Sequence, residues 1–239
     1  MEYQGEDLII VTGAPGSRWS GAIRMLSLIC KDINLSDNKN NFVYRKKVDG
    51  QVVGWHRGAY WGPDNPVGHK FDVLDTLTKE EIIQEFKAPF SDWDYGTKII
   101  KSHWFSYHLP LLKELFPKAR FWSFYDTPQE CFNWWKHVGG WDITYPIYTW
   151  YKNDERMLQQ ISIECDEIKN NFDLKRYYGW KETATALGFS HNMRTNSEMY
   201  DIDPDFSDIH QYDSEEVFNS FLNNIFNRKE VGIINPKMY

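Results

Sequence analysis

The sequence predicts an α/β fold, a parallel sheet flanked by helices, formed as a single domain over residues 1–239. Three observations carry that expectation. The runs Leu8–Val11, Thr97–Ile100 and Arg120–Tyr125 are short, apolar and rich in β-formers, and a helix-compatible stretch follows each, as with buried parallel strands. The first run passes through a glycine-bearing turn straight into a helical pattern. Finally, 41% hydrophobic and 17% aromatic residues suffice to fill a core, and no repeat, low-complexity tract or linker divides the chain.

Taken in order, Ser20–Cys30 reads as a helix with Ile23, Leu26 and Cys30 on one face and Ser20 as its cap. Residues 44–72 differ, mixing five glycines and two prolines with aromatics, His56, His69 and Arg57. That chemistry suits either a substrate-facing lid or a twisted hairpin. Thr78-Lys79-Glu80-Glu81 is a capping box opening a helix through Phe86. Pro110–Phe116 reads as a short helix stopped by Pro117, and Pro128 opens another over Gln129–His137, which Gly139-Gly140 ends. Tyr148–Asn171 is the longest helical pattern, with Trp150, Met157, Leu158, Ile161, Cys165 and Ile168 at three- and four-residue steps. Two short helices, Trp180–Leu187 and Ser214–Phe226, complete the series.

Charge and cysteine usage narrow the class. Net charge is −7, which argues against nonspecific nucleic-acid binding. Eight acids and no Lys or Arg lie between Glu198 and Glu216, so the rest of the chain is close to neutral and tolerates an anionic ligand. Asp201-x-Asp203-x-Asp205 resembles the start of a calcium loop, but Phe206 stands where such a loop needs Gly and Tyr212 where it needs Glu. It reads as a solvated acidic loop. Cys30, Cys131 and Cys165 are odd in number and far apart, as free thiols in a reducing compartment are. With an acidic N-terminus and no apolar run that spans a bilayer, the expectation is a cytoplasmic protein without a membrane partner.

The chemistry concentrates at two strand ends. After Leu8–Val11 come Gly13, Ala14, Pro15, Gly16, Ser17, Arg18, Trp19 and Ser20. A nucleotide kinase would place a lysine in this loop to reach its phosphates, and Trp19 cannot supply that charge. Strand, turn and helix start remain, so backbone N–H groups and the positive end of the helix dipole still favour an anion. Arg18 adds a fixed charge and a bidentate donor. The alternative is a tight turn in which Gly13 serves geometry alone. At the second strand end, Ile99-Ile100-Lys101-Ser102-His103, lysine and histidine emerge two residues apart at the edge where open α/β sheets bind ligands. There a lysine can stabilise developing negative charge and a histidine can take a proton from a hydroxyl near neutral pH.

TGAPGS at the first strand, IIKSH in the middle and LLKELFPKARFWSFYDTP after it are together similar to the sulfotransferases that use 3′-phosphoadenosine 5′-phosphosulfate. The resemblance covers about residues 8–137. It implies a phosphate-loop, nucleotide-kinase-like sulfotransferase fold in which Gly13–Ser20 wraps the 5′-phosphosulfate. Arg18 takes over the charge of a basic residue that the family places where Gly16 stands here. It further implies His103 as general base, Lys101 as its charge-stabilising neighbour, a nucleotide donor, a small-molecule or carbohydrate acceptor, and no metal. One departure stands out. The family holds the 3′-phosphate with an arginine and a serine, and the corresponding positions here are Asp126 and Trp134, with Asn133 beside the latter as a candidate contact. Arg24, Lys136 and Arg194 are the candidate substitutes. Two other classes stay open: a divergent nucleotide or small-molecule kinase, and a non-catalytic nucleotide-binding protein of the same fold.

Overall fold

The computed structural model describes residues 3–37, 46–48, 51–54, 59–60, 71–137, 153–172, 174–175, 180–189, 193–195, 197–199 and 230–234. Strands β1 (Leu8–Gly13), β4 (Ala59–Tyr60), β5 (Lys98–Lys101), β6 (Arg120–Tyr125), β7 (Leu174–Lys175) and β8 (Glu230–Ile234) form one sheet in the order β4-β5-β1-β6-β8-β7. The pairings β4–β5, β5–β1 and β1–β6 are parallel, and β8 runs antiparallel to both β6 and β7. Strands β2 (Lys46–Val48) and β3 (Gln51–Gly54) form a separate antiparallel pair whose register slips between Lys46 and Lys47.

Both faces of the sheet are covered, which is why its central strands read as continuous apolar runs. Alternation along β1 sends Leu8 and Ile10 to one face and Ile9 and Val11 to the other. The first face meets α2 (Lys79–Lys87), α3 (Leu109–Leu115), α4 (Pro128–His137) and α5 (Asp154–Asn171) through Phe86, Leu112, Cys131, Ile161 and Cys165. The second meets α1 (Trp19–Ile29) and α6 (Trp180–Ala186) through Leu26, Ile29, Trp180 and Ala184. This is an α/β architecture of helix, sheet and helix layers.

The helices follow the expected signals with two differences. The capping box of α2 is complete: Thr78 Oγ1 accepts from Glu81 N–H at 3.2 Å, and the Glu81 carboxylate accepts from Thr78 N–H at 2.9 Å. Thr127 Oγ1 accepts from Glu130 N–H at the start of α4. Asn153, not a residue of the Tyr148 region, caps α5, its Oδ1 accepting from Arg156 N–H at 2.8 Å. Ser20 does not cap α1. That helix begins one residue earlier, at Trp19, and its cap position is Arg18 in a left-handed conformation (φ 61°, ψ 21°) with no side-chain cap bond.

Strands β7 and β8 had no counterpart in the sequence reading. Residues 201–229, with the acidic loop and the expected Ser214–Phe226 helix, lie outside the described residues, as do His56, His69 and Gly139-Gly140. Within 44–72 the described residues give the antiparallel β2–β3 pair and β4, which joins the main sheet, while most of the segment lies outside the described residues. No helix among the described residues is long and apolar enough to cross a membrane.

Candidate functional site

The chain leaves β1 for α1 on the second face and leaves β5 for α3 on the first. Their carboxyl ends are neighbours, since Val11 pairs with Lys101. Connections that part to opposite faces open a crevice between two adjacent strands, the usual ligand position in such sheets. The loop after Gly13 and the Lys101–His103 segment both end there.

Two contacts lock the segments together. Thr12 Oγ1 donates to the His103 carbonyl at 3.2 Å, and His103 Nδ1 lies 2.5 Å from the Gly13 carbonyl oxygen. A carbonyl only accepts, so Nδ1 carries the proton and the lone pair is on Nε2. The Trp19 ring packs on the imidazole with centroids 4.6 Å apart. His103 does not continue the strand: it opens a 3₁₀ turn, His103–Ser106, capped by Ser102 Oγ, which accepts from Trp104 N–H.

The environment alters the expected acidity of this histidine. Burial is the main cause, and the charge of Lys101 adds to it, so His103 is held down to about 4 despite the pull of the Gly13 carbonyl. At neutral pH the ring is uncharged and its Nε2 can accept a proton. It is a weaker base than the near-neutral one expected from sequence, because the imidazolium it would become has no water around it. An anion brought to the loop raises its proton affinity by direct attraction.

Sequence dictates the shape of the loop. Ser17 N–H donates to the Ala14 carbonyl at 3.0 Å, closing a turn, and Gly16 takes φ +82°. A Cβ at Gly16 would sit 1.9 Å from the Cys131 carbonyl oxygen, so the loop lies directly on the α4 backbone. Arg18 is the one non-glycine residue with positive φ among the described residues, at a cost of about 1–2 kcal/mol. Its guanidinium carbon lies 4.1 Å from the centre of the Trp134 ring.

Ser17 Oγ and Trp19 Nε1 are buried polar atoms of the loop without a hydrogen-bond partner. Trp122 and Trp135 also leave Nε1 unmatched, but on strand β6 and helix α4 and not on the loop. Unmatched buried donors cost about 1–3 kcal/mol each, and a ligand oxygen removes that cost.

Lys101 is fully buried on the α1 side of β5 and acts electrostatically on His103. The remaining candidates are placed elsewhere. Asn133 is exposed on α4, and its Oδ1 accepts from Gln129 at 2.8 Å. Arg194 grips the opposite end of α1, donating to the Ser27, Leu28 and Cys30 carbonyls at 2.9, 3.0 and 2.7 Å. That is a helix C-terminal cap, a full helix length from the loop. Lys136 pairs with Asp154 between α4 and α5 at 2.7 Å, and Arg24 lies buried within α1. The Asp126 carboxylate accepts from Thr127 N–H at 2.8 Å. The role of Trp134 under Arg18 had no signal in sequence, since cation–π partners 116 positions apart follow no spacing rule.

The class so defined is an α/β protein with a glycine-bearing strand-to-helix loop and an uncharged histidine at the sheet's switch point. Compared with known proteins, the chain matches no family model, no curated protein and no solved structure.

Proposed function

We propose that the chain is a transferase that moves a sulfuryl group from a nucleotide phosphosulfate to an acceptor hydroxyl at this crevice. One observation carries the reading: Ser17 Oγ and Trp19 Nε1 are buried and unmatched on a helix start without a side-chain cap, beside an uncharged histidine. Donors left unmatched in this way suit an oxyanion. The motif similarity over residues 8–137 favours sulfuryl over phosphoryl transfer.

The 5′ end of 3′-phosphoadenosine 5′-phosphosulfate fits these residues. When bound, it supplies an activated sulfuryl group. Gly13–Ser20 would hold the anhydride, with Arg18 as its fixed charge. Lys101 would offset the charge that builds on the departing phosphate oxygen. His103 Nε2 would take the proton from the acceptor hydroxyl as its oxygen bonds to sulfur, and Gly13 keeps the ring in the required tautomer.

His103→Asn tests this, because an asparagine amide can still donate to the Gly13 carbonyl. Turnover, followed as donor hydrolysis or in an acceptor screen, is expected to fall on the order of 10²–10⁴-fold. Affinity for adenosine 5′-phosphate is expected to stay within about threefold. A folded, fully active variant would place the base elsewhere. Stabilisation by ATP with magnesium but by no other nucleotide would favour a kinase instead.

A further inference from the structure

The wall of the loop on the β6 side has a composition that bears on which nucleotide enters. Gly13 pairs with Phe124, so the chain end of β6 stands directly beside the loop, and Asp126 follows two residues after that pairing. Cys131 turns its carbonyl oxygen onto Gly16, and one helical turn further Trp134 lies under Arg18. Gly16 covers that carbonyl and Arg18 covers the indole face, so what the wall leaves to a ligand is the Asp126 carboxylate. Of the cations along this wall, Lys136 pairs with Asp154, Lys169 lies over the Tyr125 ring, and Arg18 serves the loop itself. A phosphate arriving here would meet that carboxylate and lose hydration against a like charge.

We infer that the site binds a nucleoside 5′-phosphosulfate without a 3′-phosphate, and that Asp126 excludes the 3′-phosphorylated form. This rests on the sulfuryl-transfer reading and narrows its donor. The loop takes one oxyanion group through Ser17, Trp19 and Arg18, and the carboxylate of Asp126 repels a second one beside it. The 3′-phosphate end of the donor suggested by motif similarity does not fit this chain.

Equilibrium titration of the intact protein with inorganic sulfate, adenosine 5′-phosphate and adenosine 3′,5′-bisphosphate tests the inference. The expected result is that adenosine 5′-phosphate binds at least as tightly as the bisphosphate. Tenfold or greater preference for the bisphosphate overturns the inference and leaves the sulfuryl-transfer reading standing. Binding of none of the three removes both. Asp126→Asn provides the second arm, since an asparagine oxygen can keep the bond from Thr127 N–H that holds the turn. It is expected to tighten bisphosphate binding by about 3–10-fold with little change for the monophosphate. An equal effect on both ligands, or none, overturns the role given to Asp126.

Discussion

Arg18 concentrates several effects in one residue. Its left-handed backbone costs about 1–2 kcal/mol, and the stack on Trp134 returns about 0.5–1 kcal/mol. Such backbone strain is kept when the surrounding structure imposes it. Arg18→Gly relieves the backbone while removing the charge and the stack. Stability in urea is therefore expected to change by less than about 1 kcal/mol. Anion affinity is expected to weaken by roughly 1.5–3 kcal/mol, the worth of a charge-assisted hydrogen bond. Titration with adenosine 5′-phosphate reads the second quantity, and equal affinity of the two proteins would show that loop amides suffice. The charge of Arg18 was legible in sequence because a lone arginine stood in a glycine-bearing turn. Its φ was not, since nothing local distinguishes a left-handed arginine from an ordinary one.

At the scale of elements, the junction of loop and α4 decides whether the site exists. Gly16→Ala would place a methyl group 1.9 Å from a backbone oxygen at φ +82°, and backbone yields less than a side chain. Strain and overpacking together are expected to cost about 2–5 kcal/mol. Gly21, on α1, has nothing within 4 Å of its would-be Cβ. Gly21→Ala is expected to stabilise by about 0.5–1 kcal/mol through helix propensity. Chemical denaturation of the two variants checks both signs, and a mild Gly16→Ala would mean that the loop stands off α4. The central parallel strands, the cap at Thr78 and the opening of α4 at Pro128 were legible because they depend on residues within one turn or one strand. The α1 boundary was misread at Ser20: a serine before an apolar run looks like a cap, but the tertiary contact at Cys131 fixes where the loop ends. Strands β7 and β8 escaped notice because edge pairing depends on partners far away in sequence.

For the molecule as a whole, two fully buried titratable groups, His103 and Glu164, set opposing dependences on pH. Half-buried His108, also held down by burial, adds a smaller contribution of the same sign as His103. Burial holds His103 at about 4 against 6.5 in the unfolded chain. Between those values the unfolded chain binds the proton and the native one does not, so this contribution is complete above pH 6.5 and is lost as pH falls to 4. Its size is on the order of 3 kcal/mol. Glu164 on α5 behaves inversely. It is fully buried, Gln160 donates to its Oε1 at 3.2 Å, and its Oε2 has no partner. Burial raises its carboxyl well above 4.5, and Gln160 only partly offsets this. The native state therefore favours the neutral acid, and stability declines as pH rises above 4.5. Between pH 4.5 and 6.5 the two slopes oppose, so the parent protein is expected to vary little in Tm. His103→Asn removes one slope, and its Tm should fall steadily from pH 4.5 to 6.5. Glu164→Gln removes the other while keeping an acceptor for Gln160, and its Tm should rise over the same interval. Melts of the three proteins at half-unit steps decide the matter. Parallel curves would mean that neither group titrates differently on unfolding, and that water reaches both.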